Sequence, residues 1–363
     1  MDDYLIDDER LSLGRKSVLP GEGFFFPDSF EEEQAEAEAR GILEGAGVVV
    51  VADPDADGLA CTALIREAHG EGALLPAGPH DLQEALAWTA EYAESDATVY
   101  VCDLCPDSES DLGALEDLVD AVERLVWFDH HQWTDDLGAL VDRTGVERTV
   151  GDSEAVCTAD VALAELDYDF DERWADLAAV TRDHDLWIRD DPRSDDLADY
   201  AYWSEPEEYI GTVAEHGADL SPEVHEFLAE NRVEKEALIE KAVDRAELRE
   251  VGEWTVGVTY GRCSQNEVAE ALREQGADAA VIVKPAGSAS IRGTENFERA
   301  HEVAQQVNGG GHPKAAGCKP DIYDDMLDYA HHWTTQGAVA KQAIVDAFKR
   351  LPEEDDEGVD TER

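Results

Sequence analysis

The chain has 363 residues, 43% of them hydrophobic, which is enough apolar material for two cores rather than one. Its 86 Asp and Glu against 28 Lys and Arg leave a net charge of −58 at pH 7, which excludes a nucleic-acid surface built on broad basic patches. The acid is spread along the whole chain, the pattern of a protein kept soluble in a halophilic, salt-rich cytosol, so the charge reports the solvent and not the substrate.

Residues 1–40 form a polar, acidic approach segment broken by Phe24, Phe25 and Phe26, a triplet expected to dock on the first domain. From Gly47 the pattern predicts a strand over 47–52, a helix over 59–69, a strand over 98–102, a helix over 111–124 and a strand over 125–128. That alternation implies a parallel sheet. Two helices are expected over 155–187, then a largely helical stretch over 205–250 whose part from Pro222 reads as a connector. A second alternation predicts a strand over 254–260, a helix over 267–275 capped near Ser264, strands over 279–284 and 288–292, and a helix over 298–307. The resulting division is a segment 1–40, a first domain 41–215, a helical connector 216–250, a second domain 251–350 and an acidic, disordered tail 351–363.

Six scattered cysteines and no segment resembling a signal peptide point to a reduced cytoplasm. Cys102 and Cys105 form one CxxC with no second pair, so packing beside Asp103 is the expected role. No apolar run reaches the length of a membrane span.

The chemistry begins at ADPDADG, which puts Asp53, Asp55 and Asp57 on a strand-to-helix turn with Gly58 relaxing the backbone. Alone, this cluster also fits a helix cap or a calcium loop. Asp103 ends a second strand and Asp129, His130 and His131 end a third, so three strand ends deliver carboxylate and imidazole to one sheet edge. In a histidine pair after an aspartate, one imidazole can bind a metal while the other contacts a substrate oxygen or supports the ligands. Many oxygens with one imidazole favour Mn²⁺ or Mg²⁺ over zinc, and such a set exceeds the needs of one ion. Two divalent ions sharing a carboxylate suit hydrolysis at a phosphoryl centre.

DPDADG, Asp103, the literal Asp-His-His at 129–131, the aspartate of TRDHD, and GGGH at 309–312 preceded by SIRG resemble the DHH phosphoesterase superfamily with its C-terminal DHHA1 domain. The resemblance covers roughly residues 45–325 and implies an α/β fold, a parallel-sheet DHH domain followed by a smaller mixed α/β DHHA1 domain. That superfamily includes RecJ-like single-strand exonucleases, nano-RNases that also act on adenosine 3′,5′-bisphosphate, and cyclic-dinucleotide phosphodiesterases. By the resemblance, Asp55 and Asp57 serve one metal each, Asp53 stands beside them as a further ligand, and Asp103 bridges the two. His130 matches the metal-binding imidazole, Asp129 a ligand or orienting group, and His131 a group near the scissile phosphate. Asp183 matches the fourth-motif carboxylate, with Asp185 as its competitor. Arg292 and His312 match groups that hold substrate phosphate, while Gly309, Gly310 and Gly311 let backbone amides approach it.

Two departures bear on the subfamily. Val51 stands where many nano-RNase-like members carry a histidine, and Asp53 where RecJ-like members carry a carboxylate. The chain has no room for the further domains of a full RecJ, so the subfamily stays open. In a salty cytosol many weak phosphate contacts are eroded, which favours local recognition of a short strand or dinucleotide. Trp133 or Trp187 could stack a base or simply pack. The reading is a two-metal phosphodiesterase, Mn²⁺ before Mg²⁺, acting on short single-stranded RNA or DNA. The alternatives are cyclic di-AMP or adenosine 3′,5′-bisphosphate hydrolysis, and a non-catalytic replication scaffold. No membrane is expected; a homodimer or a replication-protein partner is compatible, and the connector is expected to let the domains close over substrate.

Overall fold

Val48–Ala52 is apolar at every position and buried on both faces, as the middle of a parallel sheet requires. The computed structural model describes residues 28–324 and 326–351; the Phe24–Phe26 triplet and the tail from Pro352 lie outside them. Ser29–Glu230 form one compact unit and the residues from Asn231 onward belong to a second.

In the first unit, α1 (Asp28–Leu43), β1 (Val48–Ala52), α2 (Ala56–His69), β2 (Ala73–Pro76), α3 (Leu82–Tyr92) and β3 (Thr98–Cys102) come first. They are followed by α4 (Leu115–Ala121), β4 (Arg124–Asp129), α5 (Asp135–Asp142), β5 (Glu147–Val150), α6 (Thr158–Glu165), α7 (Glu172–Asp185), α8 (Pro192–Trp203) and α9 (Pro206–His216). The five strands pair in parallel in the order β2-β1-β3-β4-β5. Successive valines of β1 serve opposite cores. Val48 and Val50 pack with α2, α6 and α7, while Val49 and Val51 pack with α1, α3 and α4. The chain leaves β1 toward β2 and returns to β3 on the other side, so the crevice at their carboxyl ends is a topological switch point.

A single helix, α10 (Pro222–Asp244), runs across the boundary between the units. It stops short of the expected connector end at Glu250. Glu247–Val251 is instead β6, an edge strand of the second unit that turns back through Gly252 and Glu253 to pair with β7 (Trp254–Tyr260). The remaining elements are α11 (Gln265–Glu274), β8 (Ala279–Val283), β9 (Ala289–Gly293), α12 (Ala300–Gln305), β10 (Gly309–Gly311), β11 (Ala315–Cys318), α13 (Met326–Thr334) and α14 (Ala338–Lys349). Their sheet runs β10-β11-β9-β8-β7-β6, with only β7 and β8 parallel. One face carries α11 over Ala280 and Ile282; the other packs Val281, Val283 and Ile291 against α12 and α14. The expected α/β fold, with a parallel sheet followed by a smaller mixed one, is the fold observed. Two local expectations fail. The helix over 111–124 is a 3-10 turn at Glu109–Leu112 followed by the short α4, and Ser264 precedes α11 without a capping hydrogen bond from its side chain.

Candidate metal centre

The helix after β1 starts at Ala56, three residues earlier than expected, which separates the roles of the three aspartates. Asp55 is its N-cap, with Oδ1 accepting from the amides of Asp57 at 2.9 Å and Gly58 at 3.2 Å. Gly58 is required there, because a Cβ would lie 2.1 Å from the carbonyl oxygen of Asp53. Asp57 lies inside the first turn and is 1% exposed. Its two carboxylate oxygens accept from the amides of Thr158 at 2.7 Å and Ala159 at 2.8 Å, the first two residues of α6. The start of α2 is thereby tied to the positive end of α6.

Thr158 also donates its hydroxyl to Asp103 Oδ1 at 2.9 Å. Asp103, just past β3, is buried and holds a left-handed backbone at φ 60°, a strained conformation for a residue with a side chain. From the end of β4, buried His130 places Nε2 3.2 Å from Asp185 Oδ2 and 3.7 Å from Asp103 Oδ1. Ligand atoms of Asp57, His130 and Asp185 lie within 4.8 Å of one another, as do those of Asp103, His130 and His131. His130 is the residue common to both groups.

Of the two candidates for the fourth motif, Asp183 and its competitor Asp185, the structure brings Asp185 to the cluster. Asp183 directs its oxygens to the amides of Asp190 and Asp191, each at 3.1 Å, and so secures the turn after α7. Asp185, 23% exposed, is the carboxylate that meets His130. Asp129 is likewise spent elsewhere. It is fully buried, with Oδ1 accepting from His131 Nδ1 at 2.7 Å and Oδ2 from Trp133 Nε1 at 2.6 Å. Its position suits orientation of His131 rather than ligation. The polar roles of Thr158 and Trp133 are not legible in the sequence: a lone threonine at a helix start carries no signal, and a tryptophan at 133 fits stacking or packing equally well.

Electrostatics follow from this crowding. Burial, reinforced by the neighbouring Asp55 charge, pushes the Asp53 carboxyl to about 7 and Asp57 to about 6, the latter against the amides of Ala159 and Thr158. Burial and the Asp57 and Asp55 charges raise Asp185 to about 8 and hold Asp103 well above the carboxylate range. Burial and the adjacent His131 lower His130, keeping its imidazole neutral. For His131, burial opposes charge, but the hydrogen bond and charge of Asp129 prevail and raise it to about 9. Asp129 itself is held below its usual value, since the bonds from His131 and Trp133 outweigh its burial.

The donor set fits a divalent metal. Among the described residues, His130 Nε2 and Asp185 Oδ2 are buried without a hydrogen-bond partner, and no Lys or Arg pairs with Asp53, Asp55, Asp57, Asp103 or Asp185. A neutral imidazole and crowded carboxylates are what a hard cation with oxygen and nitrogen ligands neutralises.

The other predicted residues lie in the second unit. Arg292 is on β9, paired with Ala315 of β11, and β11 pairs with β10. Exposed His312 closes the β10–β11 turn, its amide donating to Ala315 O at 2.7 Å. Gly309 and Gly311 are needed by the sheet itself. A Cβ on Gly309 would lie 2.1 Å from Gly317 O, and one on Gly311 2.6 Å from Ala315 O, whereas Gly310 faces open space.

No family model matches the sequence, and no curated protein matches it. Solved structures do resemble it. A structure of exonuclease RecJ bound to manganese matches with 17% identity and a TM-score of 0.56 over 93% of this chain and 97% of that one. The DHH domain of a member of the s1p family of ribosomal proteins matches with 14% identity and a TM-score of 0.58, over 93% and 96% of the two chains. A pGpG-specific phosphodiesterase from Vibrio cholerae matches with 13% identity and a TM-score of 0.52, over 82% and 99%. At these identities the likeness is one of fold: the chain has the architecture seen in RecJ and DHH-domain structures.

Proposed function

We propose that this chain is a divalent-metal-dependent phosphodiesterase that hydrolyses short single-stranded RNA or DNA. One observation carries the reading: neutral His130 meets Asp57, Asp103 and Asp185 at the carboxyl edge of a parallel sheet, where among the described residues no Lys or Arg pairs with the carboxylates and the single imidazolium, His131, is already bonded to Asp129. Asp57, Asp103, His130 and Asp185 would hold the metal, with Asp53 and Asp55 as further oxygens; Mn²⁺ is the first candidate and Mg²⁺ the second. When bound, two such ions supply a water nucleophilic at neutral pH and charge neutralisation at the phosphoryl oxygens.

The chain's own residues do the rest. Asp129 holds His131 protonated and oriented, so that its imidazolium can bind a phosphoryl oxygen or give a proton to the leaving group. Thr158 fixes the Asp103 carboxylate, and the start of α6 fixes Asp57. In the second unit, Arg292, His312 and the amides around Gly310 are suited to holding substrate phosphate. The fold is shared with a manganese-bound exonuclease and with a phosphodiesterase named for pGpG, which supports a nucleotide substrate and, within that class, a small one.

Product analysis in molar KCl with Mn²⁺ tests the reading. End-labelled single strands of graded length are offered beside pGpG, cyclic di-AMP and adenosine 3′,5′-bisphosphate. Stepwise loss of mononucleotides from the strands supports it. Cleavage confined to cyclic di-AMP or the bisphosphate replaces it with the small-molecule alternative, and no cleavage returns the chain to a non-catalytic role.

A further inference from the structure

Arg292 stands opposite Ala280 on β8 and Ala315 on β11, so it rises from the face of the second sheet that carries α11. Only neutral acceptors hold it. Nε donates to Asn266 Oδ1 at 2.9 Å, and Nη1 to the carbonyls of Ile291 at 3.2 Å and Ala316 at 3.4 Å. Among the described residues no carboxylate pairs with this guanidinium, although acids outnumber Lys and Arg by 86 to 28. A neutral amide orients an arginine without consuming its charge, whereas a carboxylate would orient and neutralise it together. Burial is the main cause that lowers Arg292 and Lys284, and the charges of Arg273 on the first and of Arg292 on the second add to it. Arg273 and Lys284 thus stand near Arg292, and Glu267, the acid in the first turn of α11, is taken by Lys235 at 3.0 Å.

The surroundings are shaped as well as charged. Gln265 and Asn266 form the first turn of α11, and Gln265 Oε1 accepts from Ser290 Oγ on the same sheet face as Arg292. Both carboxamides have their oxygens committed inward and retain their NH₂ groups. Beyond Ser290 the same face continues through Gly317 on β11 to Gly310 on β10. A Cβ at either glycine would meet nothing within 4 Å, so a bare shelf adjoins the guanidinium.

We propose that Asn266 is a positioning residue that presents Arg292, with its charge intact, to a phosphate of a nucleotide whose base and sugar lie on the Gly310–Gly317 shelf beside the Gln265 and Asn266 amides. The identity of the ligand as a nucleotide rests on the phosphodiesterase reading; the anion site itself does not.

Calorimetric titration of the full chain with AMP and with adenosine, in EDTA so that no metal contributes, tests this. Asn266→Asp retains an oxygen for Nε but supplies an internal counter-ion. It is expected to weaken AMP binding at least tenfold, to weaken adenosine binding, which loses only the Asn266 NH₂, by much less, and to hold or raise Tm. Asn266→Ala, which removes the guide without adding charge, is expected to weaken AMP binding several-fold. If Arg292 only braces the strands, Asn266→Asp would bind AMP within twofold of the wild type, and the proposal falls. It falls equally if the wild type does not bind AMP. A wild type that binds AMP with this sensitivity yet cleaves no strand upholds the site and removes the hydrolytic reading, whereas a cleaving enzyme indifferent to Asn266→Asp does the reverse.

Discussion

Replacing Asp183 and Asp185 separately distinguishes the residue that secures the turn from the one that faces the metal. Asp183→Ala takes the acceptor from two backbone amides, those of Asp190 and Asp191, in a turn that also holds Trp187 at φ 55° and Arg189 at φ 59°. Hydrogen bonds to a charged acceptor contribute about 1.5–3 kcal/mol each, and water replaces part of that at this half-exposed turn, leaving a net loss of about 2 kcal/mol. For a unit of this size that corresponds to a fall in Tm of roughly 4–8 °C. Mn²⁺ affinity should change only several-fold. Asp185→Asn removes a carboxyl already pushed to about 8 by burial and the Asp57 and Asp55 charges, so the metal-free protein should be unchanged or slightly stabilised. Its Mn²⁺ affinity should fall more than about 100-fold, since even the outer partners of a ligand are worth 10–100-fold. Thermal melts with and without Mn²⁺, together with calorimetric Mn²⁺ titration, read both quantities. A melt lowered by Asp185→Asn with Mn²⁺ affinity retained, or affinity abolished by Asp183→Ala with the melt unchanged, would refute the assignment.

Three further outcomes follow from the same geometry. The folded-state values of Asp53, Asp57 and Asp185 lie above their unfolded values, at about 7, 6 and 8, so the metal-free fold binds more protons than the unfolded chain between about pH 4 and pH 8 and loses stability as pH rises through that window. Metal must displace those protons, so Mn²⁺ affinity should rise from pH 6 to pH 8 by about tenfold per unit for each proton displaced; a flat titration would show that the carboxylates are already ionised. Thr158→Val keeps the amide to Asp57 but loses the hydroxyl to Asp103, and turnover should drop about 10–100-fold while Tm moves by less than about 3 °C. Gly58→Ala drives a Cβ into the Asp53 carbonyl and should cost about 2–4 kcal/mol in urea unfolding together with Mn²⁺ binding; a variant with wild-type stability would show that the turn can relax.

The parts of the site on strand ends were legible because buried parallel strands announce themselves. Val48–Ala52 and Thr98–Cys102 are short apolar runs, and the polar residues that follow them fall at the carboxyl edge whatever the helices do. The choice between Asp183 and Asp185 was not legible. Two residues apart on α7, they point about 200° from one another, and which one looks into the cluster depends on how α7 packs against α2 and α6. Edge strands were missed for a related reason. Glu147–Val150 is at best half-buried and Gly309–Gly311 carries no side chains, so neither shows an apolar period. Acid on every surface also blurs the charged face of short helices such as α5, whose buried Leu137 and Val141 stand among aspartates.

The central claim is that the carboxyl edge of the first sheet is a metal centre built on Asp57, Asp103, His130 and Asp185. A crystal of the full chain grown with Mn²⁺, with diffraction recorded on both sides of the manganese absorption edge, tests it most directly. Two anomalous peaks among these four residues, with Asp183 still bonded to the amides of Asp190 and Asp191, are the predicted result. An anomalous map without a peak at this edge, or one whose peak is ligated by Asp183, would contradict the account.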